Sequence, residues 1–489
     1  MMSISLNQKI PVYYNFVGGE WIETKSNERI ESLNPATGEL ISYSQKSNIK
    51  DVTETIDAVN HAFLQSDWSV NPKRRYDALL ELAQKMTEKL EDLARILTMD
   101  QGKTIRESRM EIMGCIDTLK YFAGAARTVF GRSMQLEPNN FGVIVKEPIG
   151  VVGIISPWNW PALLMIRELA PALAAGNGVI VKPASLTPSI SVEIFKLIAE
   201  ADQFPKGIVS IITGPGSSIG AAMATSEKID MISFTGDTST GKSIMEMGAS
   251  NIKKVALELG GKSPNVVFQD ANLDKAIPVI GQSIFISAGQ ICMAGSRVLI
   301  HESIKEEVVS RLKQYAENLR VENGLLETAD MGPLVSQNQL NIVEEYCQIG
   351  RQEGNIITGG YRLTGGDFDK GHYFAPTIID DLPSDCRVVK EEIFGPVLSV
   401  QTFSSDEEAL KLANDNSFGL SAGVWTANLN RAMKMSKEIK AGTVWINTYN
   451  KNFPEAEFGG YKQSGLGRTR GIEGLMEYCE TKHIHFEME

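Results

Sequence analysis

The chain has 489 residues, more than one ordinary hydrophobic core accommodates, so two or three domains are expected. Apolar residues make up 43% and charged ones 22%, the balance of a globular protein. The formal charge is −12 with no Lys/Arg block, which argues against nucleic-acid binding.

The five cysteines (Cys115, Cys292, Cys347, Cys386, Cys479) contain no CxxC pair and are odd in number, so they read as reduced thiols, not a disulfide frame or zinc site. None of the five histidines forms an HExxH pair, and no metal is expected. Met1 to Val12 lacks a basic segment followed by an apolar one, and no apolar run approaches the roughly 18 residues of a membrane span. A cytoplasmic protein without a membrane partner is the expectation.

In chain order, Tyr14 to Ile22 predicts a hairpin turning at Gly18-Gly19. Val52, Ile56, Val59 and Phe63 predict a helix. A second stripe, Leu79, Leu82, Met86, Leu90, Leu93 and Leu97, continues it over about five turns; both are read as packing faces. From residue 141 the rhythm changes. Val143-Ile144-Val145, Val151 to Ile155, Val179-Ile180-Val181, Ile208 to Ile212 and Met231 to Phe234 are short β-branched runs. Helix-like segments near 189–202, 217–226 and 238–249 fall among and after them. Such alternation predicts a parallel sheet covered on both faces, binding its ligand at the carboxyl ends of its strands. A second α/β alternation, about 260 to 440, includes Arg297 to Ile300 and Val397 to Val400. No low-complexity linker separates the two, so a broad interface with a cleft is expected.

Two glycine-bearing turns, Thr213 to Gly220 and Phe234 to Gly241, each follow a strand and open a helix. Glycine admits a pyrophosphate close to the backbone, and the free N–H groups of a helix start favour its charge. A plain tight turn explains either one alone; two in successive units favour a nucleotide site.

Gly289-Gln290-Ile291-Cys292 lies among small and polar residues, so Cys292 need not be buried, although a lone cysteine commonly serves only as a small core residue. In Leu257-Glu258-Leu259-Gly260-Gly261-Lys262 a carboxylate between leucines is partly desolvated, which raises its pKa toward that of a general base; a salt-bridged strand end is the bland alternative. Ser156-Pro157-Trp158-Asn159-Trp160-Pro161 is a rigid turn presenting an amide donor for an oxyanion, or simply a packing turn.

Together these segments resemble the aldehyde dehydrogenase superfamily over essentially the whole chain. PWNWP (157–161), FTG (234–236), LELGGKSPN (257–265), GQIC (289–292), EEIFGPV (391–397), GTVWIN (442–447) and FGGYKQSGLGR (458–468) follow the family's order, and Cys292 stands 34 residues after Glu258.

The resemblance implies an α/β fold with a Rossmann-like cofactor domain (1–125 and 147–259), an α/β catalytic domain (260–471) and a small β oligomerisation arm (126–146 and 472–489). A homodimer or homotetramer follows by analogy. It implies that Cys292 is the nucleophile, that Asn159 and the Cys292 N–H stabilise the oxyanion, and that Glu258 activates the water that hydrolyses a thioester. The cofactor is NADP and/or NAD. Glu392 matches the carboxylate on the nicotinamide ribose, Phe394 the aromatic beside the ring, and Lys182 the residue reaching the adenosine ribose. Ile155, Ser156, Trp158, Ser185, Gly214, Gly216, Gly220, Phe234, Gly236, Asp237, Leu259 and Gly260 complete the cofactor set. Trp160, Phe458 and Arg167 are the substrate residues.

Four departures qualify the match. Ser185 stands where strongly NAD-preferring members carry Glu; it removes a repulsion toward a 2′-phosphate, which predicts that NADP is accepted. Position 168, often Lys, is Glu168, which either raises the pKa of Glu258 or points away. Arg167 matches the arginine with which succinic semialdehyde dehydrogenases contact the substrate carboxylate. Their second basic residue is Ile286 here, so Arg167 reads either as half of that clamp or as a surface or tunnel-rim ion-pair residue. Asp237 suits a helix N-cap but repels a phosphate. Rival readings are a thiol hydrolase or acyltransferase without redox chemistry, a non-catalytic protein on an enzyme fold, and a CoA-acylating relative. Glu392, Phe394 and the KPAS segment argue against the first, the intact Cys292, Asn159 and Glu258 against the second, and Glu258 against the third.

Overall fold

The computed structural model describes residues 10–488; of the Met1 to Val12 stretch, residues 1–9 lie outside them. Two mainly parallel sheets dominate the chain. The first has eight strands in the order Gly465–Leu466, Lys254–Glu258, Met231–Thr235, Val151–Ile155, Gly178–Lys182, Val209–Ile211, Asn15–Val17 and Glu20–Ile22. Its five central strands are parallel, and the four from Met231–Thr235 to Val209–Ile211 are buried at every residue and rich in Val and Ile, as a sheet covered on both faces requires. The chain runs outward from Val151–Ile155 through Gly178–Lys182 to Val209–Ile211, then returns to the other side of Val151–Ile155 with Met231–Thr235. That reversal is a topological switch point, where the carboxyl ends of neighbouring strands part to leave a crevice.

The second sheet has seven strands in the order Asn355–Thr358, Thr377–Asp380, Val397–Phe403, Arg297–His301, Pro264–Val267, Ser421–Trp425 and Thr443–Ile446, parallel except for the first. The chain passes from one sheet to the other in residues 259–263, between strands Lys254–Glu258 and Pro264–Val267. The predicted hairpin forms with Gly18 and Gly19 at positive φ.

Three expectations change. Val143-Ile144-Val145, grouped by its β-branched pattern with the parallel strands though the resemblance sets 126–146 in the arm, belongs to strand Asn140–Pro148, which pairs antiparallel with Arg132–Glu137 and Cys479–Glu487, outside the parallel sheets. A β-branched run reports a strand but not its partner. The apolar stripe 79–97 breaks at Lys89 into helices Pro72–Glu88 and Leu90–Gln101, because Lys89 leaves helical geometry while the period persists across the joint. Of the 472–489 stretch, only Cys479 onward pairs in the three-stranded sheet. Leu475 and Tyr478, 0% and 1% exposed, belong to the large core with the Pro161–Ala175 helix.

Candidate active site

A cavity of about 850 Å³ opens at the switch point and reaches Cys292. Ile155, Ser156, Trp158, Asn159, Lys182, Ser185, Gly216, Gly220, Phe234, Gly236, Asp237, Glu258, Leu259, Gly260, Cys292, Glu392 and Phe394 all line it. Gly214 lies behind the wall, where its carbonyl accepts from Ser185 Oγ at 3.0 Å. Trp160, Arg167 and Phe458 do not line it.

At the floor, Cys292 is the one cysteine of the five that keeps partial exposure. Burial pushes its thiol up to about 12; Arg167 opposes the shift, and Glu392 and Glu258 add to it. Its loop is strained. Ser287 and Ala288 adopt left-handed φ of 51° and 53°, unusual for residues with a Cβ. Gly289 follows at φ 74°, and a Cβ there would meet the Gly395 carbonyl oxygen at 2.0 Å. The Cys292 loop and the loop carrying Glu392 and Phe394 therefore stack backbone on backbone.

Asn159 Nδ2 donates to the Gln290 carbonyl at 2.9 Å, tying the PWNWP turn to the Cys292 loop. An amide carries two N–H groups, so the second is left for an oxyanion. Glu258 ends strand Lys254–Glu258 and is 7% exposed; its Oε2 has no hydrogen-bond partner. Burial pushes its carboxyl up to about 8, with Arg167 opposing and Glu168 adding. A group poised there is suited to general-base work near neutral pH.

The cofactor end has the matching features. Glu392 Oε1 accepts from the Gly261 N–H at 3.0 Å. A Cβ on Gly260 would stand 2.0 Å from Glu392 Oε2, so only glycine leaves that carboxylate in place. Burial pushes Glu392 up to about 7, against the Gly261 N–H and Lys262. The Trp158 and Phe394 rings meet edge to face at 5.2 Å, and Phe394 holds a φ of 58°. Ser156 Oγ is buried without a partner. A cleft of this size, with a carboxylate for sugar hydroxyls and glycine turns at helix starts, fits a nicotinamide dinucleotide. Lys182 Nζ donates to the Pro183 carbonyl at 3.0 Å, and burial lowers its pKa to about 8.

Asp237 caps the Thr238–Gly248 helix, accepting from Thr240 N at 2.9 Å and from Ser239 Oγ and Thr240 Oγ1 at 2.6 Å each. Burial works against its ionisation, but these hydrogen bonds hold its carboxyl below the usual range. Its charge is directed at its own helix terminus.

Arg167 is corrected most. It is neither on the surface nor at a rim: 1% exposed, it is paired through Nε with Glu168 Oε1 at 2.8 Å and donates to Thr235 Oγ1 at 3.0 Å. Glu168 in turn accepts from Tyr478 O–H at 2.7 Å and Ser233 Oγ at 3.2 Å. Both alternatives for Glu168 hold in part: it turns to Arg167 and Tyr478, and its charge still raises Glu258. The arginine's free face lies 5.9 Å from the Phe458 ring centroid, with Arg470 at 5.6 Å. Arg470 was missed in the sequence; it is 8% exposed, at φ 62°. Lys103, Glu107 and Glu111 were also missed. The Thr104-x-x-Glu107 capping-box spacing was the available signal there.

Among the described residues there is no cluster of His, Cys, Asp and Glu able to hold a metal, and no helix is long and apolar enough to cross a membrane. Residues 21–484 match the model of the aldehyde dehydrogenase family. The chain belongs to that family. It is 40% identical over 473 residues to a betaine aldehyde dehydrogenase of Bacillus subtilis (strain 168), covering 96% of each chain. It is 38% identical to an aldehyde dehydrogenase of Davidiella tassiana, covering 97% of this chain and 95% of that one. The crystal structure of betaine aldehyde dehydrogenase from Staphylococcus aureus, in complex with NAD+, superposes with a TM-score of 0.95 at 37% identity, over 97% of this chain and 94% of that one. This family member is an enzyme, and its mixed α/β architecture is that of the solved dehydrogenase.

Proposed function

We propose that this aldehyde dehydrogenase uses NAD+ or NADP+ to oxidise an aldehyde to the carboxylic acid through a thioester on Cys292. The supporting observation is the convergence of Cys292, Asn159, Glu258 and Glu392 on one cavity. The Cys292 thiol releases its proton to water in the open cavity, and the sulfur adds to the carbonyl carbon. The free N–H of Asn159 and the Cys292 N–H donate to the oxygen that becomes negative. A nicotinamide dinucleotide held by Glu392, beside Phe394 and Trp158, would supply the acceptor for the hydride that leaves the carbon, and Cys292 keeps the resulting acyl group as a thioester. Glu258, with Oε2 unpartnered, then takes a proton from water as the water attacks, and the thiolate leaves as the acid forms. Glu392 holds the ribose hydroxyls. Ser185 and Lys182 place no negative charge against a 2′-phosphate, so NADP+ is turned over as well as NAD+.

Betaine aldehyde, the substrate in the relatives' names, is the first aldehyde to test. A quaternary ammonium is held by aromatic faces. Here Lys103 Nζ stands 3.8 Å over the Trp160 ring, and Arg167 and Arg470 face Phe458. These rings already serve the protein's own cations, which favours an uncharged aldehyde as the better substrate. Arg167 is committed to Glu168, which removes the support for a substrate-carboxylate clamp. The exposed Leu136, Ile484 and Phe486 of the three-stranded sheet support assembly as a homodimer or homotetramer.

The test is nicotinamide reduction with a panel of aldehydes, each offered with NAD+ and NADP+. Acid formed without cofactor reduction would favour the thiol-hydrolase reading. A hundredfold preference for NAD+ would end the NADP expectation, and betaine aldehyde with the highest kcat/KM would end the uncharged one.

A further inference from the structure

The first two turns of the Ile105–Ala126 helix and the residue preceding its cap carry three buried charges that no catalytic step uses. Lys103, Glu107 and Glu111 are 1%, 6% and 0% exposed. Glu111 Oε2 takes the Lys103 ammonium at 2.5 Å, and neither side chain is accessible. Burying such a pair is costly unless its remaining lone pairs are used. Their partners show what the cluster holds.

Glu111 Oε1 accepts from the Ala162 N–H at 2.8 Å and the Leu163 N–H at 3.0 Å. These are unpaired donors of the first turn of the Pro161–Ala175 helix, which has no side-chain cap of its own. Lys103 also lies over the Trp160 ring. The segment so fixed begins directly after Asn159. Glu107 works in the other direction. Its Oε2 accepts from Thr104 N at 2.7 Å and Thr104 Oγ1 at 2.9 Å, and its Oε1 accepts from the Ser287 N–H at 2.6 Å. Ser287 is the first of the two left-handed residues that lead to Cys292. Gln290 Nε2 donates back to the Ser287 carbonyl at 2.9 Å, and the Gln290 carbonyl receives Asn159.

We propose that Lys103, Glu107 and Glu111 are positioning residues that set the separation between the Asn159 amide and the Cys292 sulfur. One rigid helix holds the oxyanion side through Glu111 and the nucleophile side through Glu107. The inference rests on the reading of Cys292 as nucleophile. Displacements near 1 Å at a reacting centre cost about 10²-fold in rate, which is the scale such a clamp governs.

The experiment uses isosteric variants of the full-length enzyme, each first shown to fold and to bind NAD+ like the parent. In Glu111→Gln, which alters the Lys103 pairing and the Ala162 and Leu163 contacts but leaves the Glu107–Ser287 hydrogen bond in place, the pre-steady-state burst of reduced cofactor slows about tenfold while alkylation of Cys292 by iodoacetamide keeps its rate. Alkylation needs the thiolate but forms no oxyanion. In Glu107→Gln, which disturbs the Cys292 loop, both rates fall. Adding Glu111→Gln to Asn159→Ala causes no further loss, because the amide being positioned is already gone. A burst within twofold of the parent in both variants, or losses that multiply in the double variant, overturns the proposal. Cys292→Ala is the separate control: retained aldehyde oxidation there would refute the nucleophile reading itself, whereas an inactive Cys292→Ala beside unaffected glutamine variants would refute only the clamp.

Discussion

Two buried ion pairs flank the reaction centre, and they are built for different tasks. Lys103–Glu111, with Glu107, directs its carboxylates at backbone N–H groups of Ala162, Leu163 and Ser287. Arg167–Glu168 directs its charges at titrating side chains: Arg167 lowers the pKa of both Glu258 and Cys292, and Glu168 raises Glu258. The first pair fixes where atoms stand and has no reason to alter a pH profile. The second sets when protons leave. Fully buried pairs of similar geometry are thus distinguished by what their remaining lone pairs and open faces meet.

The comparison is sharpened most by removing the group on which the second pair acts. Glu258→Gln lowers steady-state turnover about 10³-fold by stalling the thioester. It also abolishes the limb on which the parent rate rises with pH through about 8, as the raised Glu258 carboxyl ionises. A pH–kcat profile and acyl-enzyme trapping check both. Arg167→Met leaves Glu168 buried without its counter-charge and is expected to cost about 3–5 kcal/mol of stability in urea unfolding. In the enzyme that remains folded, the limb moves to higher pH, because a cation that favoured ionised Glu258 is gone. Glu168→Gln moves the limb the other way, with a smaller stability loss. A profile left in place by both substitutions would break the contrast. Tyr478→Phe removes one hydrogen bond to the Glu168 carboxylate and is expected to cost about 1–3 kcal/mol, visible as a lower urea midpoint.

Much of this architecture was legible beforehand where local pattern and tertiary role coincide. The apolar strands from Val151 to Phe234 are buried on both faces and read as such. The glycine turns, the Glu258 strand end and the Cys292 loop carry their chemistry in consecutive residues. Legibility failed where long-range partners decide. Val143 to Val145 is β-branched like its neighbours, so the run pattern alone groups it with the parallel strands; the family resemblance sets it in the 126–146 arm, and its pairing with Cys479–Glu487 lies outside the parallel sheet. Arg167 looked like a residue for solvent or substrate because an arginine's default is exposure. Its burial depends on Glu168, Thr235 and, through Glu168, on Tyr478, which is 310 residues from Glu168 in sequence. Lys103, Glu107 and Glu111 stayed unread in the sequence, since nothing local reveals that the partners of the two glutamates include the backbones of residues 162, 163 and 287.

The contact between Gly289 and Gly395 has a consequence for the range of sequences this enzyme tolerates. Every side chain that replaces hydrogen at position 289 begins with a carbon that falls inside the facing carbonyl oxygen, and the backbone conformation there already disfavours any Cβ. In a saturation library selected for aldehyde oxidation, position 289 should be recovered as glycine alone. Neighbouring Gln290 should tolerate few replacements, and exposed loop glycines such as Gly365 and Gly366, which face open space, should be limited only by backbone conformation. The mutational footprint of the nucleophile thus extends to a position without any reactive group.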